Sequence, residues 1–253
     1  RRSFNPDFGK KETNGGTIRC VTDDDYGSYI SYYDFPLSEA KKQITEQLTY
    51  FAEKKVNFEW KVYSTDSPQL LDEQLQQHGF IAQEPESFMV LDLSTHKKES
   101  AEYSLCTEVT DEKGIQDAIK VQEQVWDNEL THLFHSLLKQ KKMAPESVTI
   151  YVIYDDQKPI ASAWITYNEN SPFAGIWGGS TIEDYRGQGF YSMLLKKRIQ
   201  DAKQRGIQYL TIDASNMSKP IVTKQGFKTI ATTTAYLSPS ETIHGQSSEV
   251  KKV

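Results

Sequence analysis

The stretch 185–191, Tyr-Arg-Gly-Gln-Gly-Phe-Tyr, is the part of this sequence best suited to bind an anion. The residues before it have the pattern of a strand and those after it the pattern of a helix. The turn therefore lies at a helix N-terminus, where free backbone N–H groups and the helix dipole favour negative charge. Two glycines let the backbone approach a phosphate without a Cβ, and Arg186 adds a fixed charge with several donors. These features predict a diphosphate site; a tight strand-to-helix turn with a surface arginine is the alternative.

Two common phosphate-binding motifs fit this turn poorly. A Walker loop requires Gly-Lys-Ser or Gly-Lys-Thr, which is absent. A dinucleotide fingerprint is nearer, because Gly187 and Gly189 lead to Ser192 where the third glycine belongs, and Asp213 closes the next strand. Only about 40 residues follow Asp213, too few to complete a doubly wound sheet, and the preceding strands indicate an antiparallel meander. A nicotinamide-dependent enzyme remains a less favoured alternative.

Hydrophobic periodicity and turn signals predict a regular series of elements around the turn. In chain order they are a strand at 103–109, helices at 112–126 and 128–142, strands at 148–154, 159–167 and 173–182, a helix at 187–205, a strand at 207–213, a short helix ending at Gly226 and a strand at 227–237. The three central strands are predicted to form a meander that leads directly into the glycine turn.

The first hundred residues repeat part of this series. A shift of 147 positions places Gly79-Phe80 on Gly226-Phe227, and Asp66 on Asp213. Helix, strand ending in Asp, helix ending in Gly-Phe, and strand thus occur twice in one order. We predict two related domains in tandem, a shortened one at 1–98 and a complete one at 99–237. The polar stretch 94–100 is the predicted linker between them, and 238–253 is predicted to be a flexible tail.

Residues 103–237 resemble the GNAT superfamily of acyl-CoA-dependent N-acetyltransferases. The resemblance rests on the order of elements and on the motif Arg-x-x-Gly-x-(Gly/Ala), which begins here at Arg186. It implies an α+β fold with a mixed sheet, acetyl-CoA as co-substrate, and transfer of acetyl to an amine by direct attack on the thioester. Through the repeat, the first half resembles a second, degenerate GNAT-like domain. Its helix follows Asp-Phe-Pro-Leu-Ser at 34–38, without glycine or arginine, so we expect no coenzyme site there.

Carried over by position, the resemblance implies which residues contact the coenzyme. The residues implied around the pyrophosphate are Arg186, Gly187, Gln188, Gly189, Phe190 and Tyr191, and those implied beside the pantetheine arm are Thr181 and Ile182. In the family a bulge of the preceding strand presents an N–H to the thioester carbonyl, and we expect it at Gly178-Gly179. Tyr191 departs from the family pattern, which has Gly or Ala at that position.

The implied reaction requires proton transfers that the sequence supports only in part. An alkylammonium with a pKa near 10.4 must lose a proton, at about 4.6 kcal/mol at pH 7. Glu183, at the end of the strand beside the coenzyme, is the first candidate base, ahead of Asp184 and Asp213. The family's proton-donating tyrosine is replaced by Val222. A thiol of pKa about 8.5 can still leave as the anion at roughly 2 kcal/mol. A catalytically weak or inactive acyl-CoA-binding module is therefore the alternative function.

Composition narrows the possible partners. Asp and Glu total 35 against 29 Lys and Arg, and a net charge of -6 disfavours nucleic acid and anionic membranes as partners. No apolar run approaches the ~18 residues of a membrane span, and the first residues lack the apolar stretch of a signal peptide. We expect a small-molecule or peptide amine as acceptor, and a monomer or homodimer.

Cysteine and histidine usage gives no indication of a metal. Cys20 and Cys106 have no neighbours at metal-ligand or redox spacing, which favours a reduced, cytoplasmic location. His132 and His135 lie three residues apart on a predicted helix, but no carboxylate or cysteine lies at matching spacing. We therefore predict no metal site.

Overall fold

The computed structural model describes residues 9–22, 27–96 and 103–239. They form two compact units, one containing 85–233 together with Gly9 and the other containing 10–84 and 234–239. The chain thus passes between the units three times, at 9/10, at 84/85 and at 233/234. Most of the predicted tail lies outside the described residues, as does the second half of the predicted linker.

The smaller unit is a sheet covered by helices. Its elements are β1 (Lys10–Asn14), β2 (Thr17–Val21), β3 (Ser28–Tyr33), α1 (Ala40–Glu53), β4 (Phe58–Tyr63), α2 (Leu71–Gln77) and β5 (Ile81–Ala82). Strands β1 to β4 are neighbours in that order, with β3 and β4 parallel. Ile44 and Phe51 of α1 are fully buried in one core with Trp60 of β4.

The larger unit carries the predicted meander and glycine turn. Its elements are β6 (Glu86–Asp92), β7 (Thr107–Val109), α3 (Glu112–Trp126), α4 (Thr131–Met143), β8 (Val148–Asp155), β9 (Lys158–Tyr167), β10 (Phe173–Thr181), α5 (Phe190–Gln204), β11 (Tyr209–Ala214), α6 (Lys219–Lys224) and the first part of β12 (Lys228–Leu237), a strand whose residues from 234 onward belong to the smaller unit. The sheet order in this unit is β12, β6, β11, β10, β9, β8, β7. The predicted series of elements is confirmed, and most boundaries shift by a few residues.

The sheet of the larger unit is mixed. Strands β10 and β11 pair in parallel, and the other strand pairs described in this unit are antiparallel. This arrangement confirms the predicted fold class. It contradicts the dinucleotide-binding alternative, because a doubly wound fold needs repeated parallel βα units on the same sheet.

Helices cover both faces of this sheet. Alternate residues of β8 belong to different cores: Tyr151 and Ile153 pack with the leucines of α5, whereas Ile150 and Val152 pack with α3. Successive side chains of a strand point to opposite faces, so α5 lies on one face and α3 with α4 on the other. The region where β10 meets β11 is thus approached by helices from both sides. Among the described residues, no helix has both the length and the apolar character needed to cross a bilayer.

The two compact units do not coincide with the predicted domains 1–98 and 99–237. Strand β6 follows the helices of the first half in sequence, yet it pairs with β11 and β12 in the larger unit. The repeated order of elements is present as α1-β4-α2 and α5-β11-α6. Asp213 lies within β11, whereas Asp66 follows the end of β4 and accepts from the Tyr63 N–H at 3.2 Å. The predicted division into tandem domains at 1–98 and 99–237 therefore stays a prediction, distinct from the division into compact units.

Candidate active site

Strands β10 and β11 separate along their length. They pair over only three residues, Phe173–Gly175 with Tyr209–Thr211. Beyond Gly175, β10 continues to Thr181 while β11 continues in register with β6. The two adjacent strands therefore part at the carboxyl end of β10, which leaves a gap in the sheet directly before the glycine turn.

A β-bulge lies in the separated part of β10. The antiparallel register with β9 shifts between Trp177, opposite Trp164, and Ser180, opposite Ser162. Gly178 has a φ of 56°, in the left-handed region that favours glycine. A bulge leaves one residue out of the ladder and re-aims its backbone groups. The predicted bulge at Gly178-Gly179 is thereby confirmed.

Gln122 of α3 holds the bulge from one face of the sheet. Its Nε2 donates to the Gly178 carbonyl at 2.7 Å and to Ser162 Oγ at 2.7 Å. Its Oε1 accepts from Ser180 Oγ at 2.9 Å, and Ser162 Oγ in turn donates to the Ala118 carbonyl at 2.9 Å. Gln122 is only 2% exposed, so these are buried contacts with fixed geometry.

Arg198 of α5 holds the bulge from the opposite face. Its Nη1 donates to the Trp177 carbonyl at 3.1 Å and to the Trp164 carbonyl at 3.4 Å. Its Nε donates to the Leu194 carbonyl at 3.1 Å, while Nη2 has no acceptor among the described residues. Arg198 is 1% exposed, and burial lowers the pKa of its guanidinium to about 10.

The glycine turn forms an open cradle after β10. A short 3₁₀ helix, Glu183–Tyr185, leads into it, and Gly187 and Gly189 have φ values of 76° and 89°. A Cβ placed on either glycine would meet no atom within 4 Å. The backbone here is thus both in a conformation that favours glycine and open on the side where a side chain would project.

The first turn of α5 has free donors. Its N-cap is Gly189, and no side chain caps it, whereas α3 is capped by Asp111, which accepts from the Gly114 N–H at 2.8 Å. The first N–H groups of a helix have no intrahelical acceptor. The amides at the start of α5 therefore point into the open cradle with the positive end of the helix dipole, which suits a phosphate.

Tyr191 is accommodated by Gly179. A Cβ on Gly179 would lie 2.8 Å from Tyr191 Cε2, so any side chain at position 179 would force the tyrosine ring to move. The tyrosine ring occupies that place, on the α5 face of the bulge. The departure from Gly or Ala at position 191 is thus matched by the missing side chain at 179, and the Tyr191 amide keeps its place in the first turn of α5.

Three further residues of the predicted coenzyme site have defined positions. Arg186 is anchored through Nε, which donates to the Thr181 carbonyl at 3.2 Å. Thr181 is buried, and its Oγ1 has no hydrogen-bond partner among the described residues. The Ile182 N–H already donates to the Ile160 carbonyl at 3.0 Å. Thr181 therefore keeps a polar group for a ligand, whereas the Ile182 amide does not.

The sequence of residues 115–227 matches the model of the acetyltransferase (GNAT) family. This segment is a GNAT acetyltransferase domain. It contains both the bulge and the cradle, so the geometry described above belongs to the part of the chain that the family model covers. No curated protein sequence matches this chain.

Solved structures share the fold over nearly the whole chain. A GCN5-related N-acetyltransferase from Kribbella flavida matches with a TM-score of 0.68 and 15% identity, over 92% of this chain and 91% of the other. A GCN5-related N-acetyltransferase from Sphaerobacter thermophilus gives a TM-score of 0.60 and 14% identity, over 88% and 76%. A tandem GNAT protein from the clavulanic acid biosynthesis pathway gives 0.56 and 12%, over 93% and 82%. At sequence identities this low, the similarity to these structures shows the fold alone.

The positions considered for proton transfer in the GNAT domain differ in exposure and in side-chain chemistry. Glu183 is exposed at the start of the 3₁₀ helix, directly after β10 and Ile182. Val222, at the position of the family's tyrosine, is fully buried in the core and offers no proton. Asp213 lies in β11 and does not cap α6, which begins at Lys219. Glu183 therefore remains the first candidate base.

Gln122 and Arg198 were not found by sequence reasoning about the GNAT domain. Each stands at an apolar stripe position of its helix: Gln122 continues the buried series Ile115, Ala118, Ile119, and Arg198 lies between the buried Leu194, Leu195 and Ile199, Ala202. A polar residue in a buried stripe must find hydrogen-bond partners. That signal was present in the sequence, but it does not reveal the partners.

Proposed function

We propose that the GNAT domain transfers an acetyl group from acetyl-CoA to the amine of a small molecule or peptide. The observation that carries this proposal is the bulge at Gly178-Gly179, which lies where β10 has parted from β11. One continuous segment then leads from the bulge through the cradle to the uncapped start of α5. A thioester carbonyl and a diphosphate of one extended molecule would find donors along this segment.

The coenzyme assignment is supported by the cradle. Gly187 and Gly189 leave their backbone open to a phosphate, and Arg186 is held beside them through the Thr181 carbonyl. The residues proposed to contact the pyrophosphate are Arg186, Gly187, Gln188, Gly189, Phe190 and Tyr191, with Thr181 and Ile182 beside the pantetheine arm.

The aromatic rings next to the bulge support the choice of acetyl rather than a longer acyl group. A Cβ on Gly178 would lie 1.8 Å from Trp164 Cζ3, and a Cβ on Gly179 would lie 2.8 Å from Tyr191 Cε2. Aromatic rings thus lie directly against both glycines of the bulge. We propose that they restrict the acyl group to one as short as acetyl.

The proposed chemistry is direct nucleophilic attack. The amine nitrogen bonds to the carbonyl carbon of the thioester, the C–S bond breaks, and coenzyme A leaves as a thiolate that takes up a proton. A backbone N–H at the bulge would stabilise the negative charge that develops on the carbonyl oxygen. Glu183 is proposed to accept the proton that the substrate ammonium loses before the neutral amine attacks, directly or through water.

The burial of Val222 favours one alternative. Because this apolar residue occupies the family's tyrosine position, the thiolate receives no proton from that site. A protein that binds acetyl-CoA but transfers the acetyl group slowly, or not at all, would have the same cradle and bulge.

A cytoplasmic location is part of the proposal. It is supported by Cys20 and Cys106, which are both buried. Burial raises the pKa of the Cys106 thiol to about 11, so this residue is suited to a structural role in a reducing compartment.

The coenzyme assignment is tested by calorimetric titration with acetyl-CoA and, separately, with NADH. We expect one acetyl-CoA site per chain and roughly tenfold weaker binding by Arg186→Ala, because a charge-assisted contact is lost. Lys224→Ala, which removes an exposed lysine at the end of α6, is the matched control and should bind like the wild type. Tighter binding of NADH, or no binding of either, would overturn the assignment.

Transfer is tested by incubating the protein with acetyl-CoA and a panel of polyamines, amino acids, aminoglycosides and lysine peptides. Acetylated products are identified by mass spectrometry, and the released thiol is quantified. Product formation that depends on the protein and falls in Glu183→Gln supports the proposed enzyme. Acetyl-CoA binding without any product from the panel would favour the binding module.

A further inference from the structure

The bulge of β10 is held by two buried side chains from opposite faces of the sheet. Gln122 Nε2 donates to the carbonyl of Gly178, and Arg198 Nη1 donates to the carbonyl of Trp177. These two carbonyls belong to consecutive peptide groups, 177/178 and 178/179. Each peptide plane of the bulge therefore has its own side-chain contact.

Planarity of the peptide group turns these contacts into a constraint on the adjacent amides. In a trans peptide the C=O and the following N–H point in opposite directions. A hydrogen bond that fixes the Gly178 carbonyl toward Gln122 therefore directs the Gly179 N–H away from Gln122. In the same way, the contact of the Trp177 carbonyl with Arg198 fixes the direction of the Gly178 N–H.

Glycine makes such a constraint necessary. Gly178 has a φ of 56°, and neither Gly178 nor Gly179 has a side chain that could limit peptide rotation by itself. A flexible Gly-Gly bulge would sample several orientations of its amides. Gln122 is itself fixed by Ser162 and Ser180, so the Gly178 carbonyl is bonded to a donor that cannot easily move.

We propose that Gln122 and Arg198 are positioning residues that aim the Gly179 N–H into the gap between β10 and β11, where it donates to the thioester carbonyl oxygen. This inference rests on the proposed function, because it requires acetyl-CoA in that gap. Neither side chain touches the reacting atoms; each acts through the backbone of the bulge. The amide is thereby aligned before the substrate binds, which is the arrangement that electrostatic stabilisation of a developing oxyanion requires.

The inference is tested by the infrared carbonyl band of bound acetyl-CoA labelled with ¹³C at the thioester carbonyl. In the wild type we expect this band at a lower frequency than in free acetyl-CoA, because a hydrogen bond weakens the C=O bond. In Gln122→Met, which keeps the length of the side chain but has no donor, we expect the band to return toward its free position. The Kd for coenzyme A, which has no acyl carbonyl, should change by less than about threefold, because the cradle is untouched.

Two further variants separate positioning from folding. Ser180→Ala removes the hydroxyl that holds Gln122 Oε1 and should reverse part of the band shift even if Gln122→Met does not fold. Gln122→Glu should show the band shift only at low pH, where the carboxyl is protonated and can donate to the Gly178 carbonyl. A merely structural role for Gln122 would not produce this pH dependence. Asp117→Asn, a buried polar change on the same helix away from the bulge, is the control and should leave the band where the wild type has it.

The outcomes distinguish this inference from the proposed function. An unshifted band in the wild type, or a full shift in both Gln122→Met and Ser180→Ala, overturns the positioning role while the coenzyme assignment stands. Failure of the wild type to bind both coenzyme A and acetyl-CoA overturns the proposed function and, with it, the inference.

Discussion

Gly189 and Gly206 lie at opposite ends of α5 and have matching backbone geometry, with φ values of 89° and 74° and open space around a Cβ. Alanine at either position should cost about 1 kcal/mol of stability, because left-handed backbone disfavours a Cβ. Only Gly189→Ala should also weaken coenzyme A binding, by tenfold or more, because its Cβ would stand where the phosphate approaches. Urea unfolding and calorimetry on both variants measure the two effects. Equal loss of binding in both variants would contradict the position of the cradle.

Gly179 and Tyr191 should be energetically coupled. Gly179→Ala forces a Cβ to within 2.8 Å of the Tyr191 ring, and overpacking of this kind costs roughly 1 to 3 kcal/mol. Tyr191→Ala removes the ring, so the double variant should lose little more stability than Tyr191→Ala alone. A double-mutant cycle by urea unfolding measures this coupling. Gly178→Ala, which collides with Trp164, is the control; relief of its penalty by Tyr191→Ala would show that the rings are placed differently.

The structural role of a residue could be predicted from the sequence where local backbone conformation decides that role. The glycine cradle and the Gly178-Gly179 bulge follow from glycine placed at a strand end and at a helix start. The roles of Gln122 and Arg198 depend on contacts 56 and 21 positions away in sequence. Such contacts are set by how helices and sheet pack together, and no spacing rule along the chain specifies them.

At the scale of elements, β1, β2 and α1 of the smaller unit are joined by one carboxylate. Glu12 Oε2 accepts from Arg19 Nε at 2.9 Å and from the Tyr50 hydroxyl at 2.8 Å. Burial acts to raise the pKa of Glu12, but the hydrogen bonds from Tyr50 and Arg19 outweigh it and hold the pKa below the ordinary value. The Arg19 guanidinium also lies 3.2 Å from the centre of the Tyr50 ring.

This lowered pKa predicts acid sensitivity of the smaller unit. A carboxyl whose pKa is lower in the folded state stabilises the fold above its unfolded pKa and loses that contribution as the pH falls. Unfolding free energy should therefore decrease as the pH falls below the ordinary value of 4.5, and Glu12→Gln should flatten this dependence. Urea unfolding at several pH values measures it, with Glu46→Gln on the exposed face of α1 as control. Equal slopes for wild type and Glu12→Gln would contradict the role of Glu12.

Element boundaries show where periodicity is informative and where it fails. The helix predicted at 187–205 begins at Phe190, because Gly187 and Gly189 adopt left-handed backbone and stay outside it. The strand predicted at 103–109 is shorter, Thr107–Val109. The separation of β10 from β11 could not be read from either strand, since both keep strand periodicity after they part.

At the scale of the whole molecule, chain order and compact units differ. Strand β6 follows β1 to β5, α1 and α2 of the smaller unit in sequence but belongs to the larger unit. The last described residues, 234–239, belong to the smaller unit. The sequence repeat predicted the order of elements correctly. It could not predict which strands each final strand pairs with, because strand partners are decided by contacts across long sequence separations.

The division into two compact units predicts that substitutions at Phe227 and Tyr236, which are close in sequence, destabilise different parts of the protein. Tyr236 is buried in the core of the smaller unit and Phe227 in the core of the larger unit. Replacing either aromatic by alanine should cost about 3 kcal/mol. The largest loss of amide protection should fall in α1, β4 and α2 for Tyr236→Ala, and in α5 and β11 for Phe227→Ala. Hydrogen exchange measures both patterns, and the same pattern for both variants would contradict the division.

Backbone amides report where acetyl-CoA binds, and ¹⁵N-edited NMR of the whole chain measures their response to the coenzyme. If one coenzyme site lies at the cradle and bulge of the GNAT domain, the affected amides should lie there. We predict that the amides of 187–191 and of Gly179 shift on titration, while those at 37–40, where the first half enters α1, do not. Shifts centred on 37–40, or none at 187–191 despite measurable binding, would contradict this position of the site.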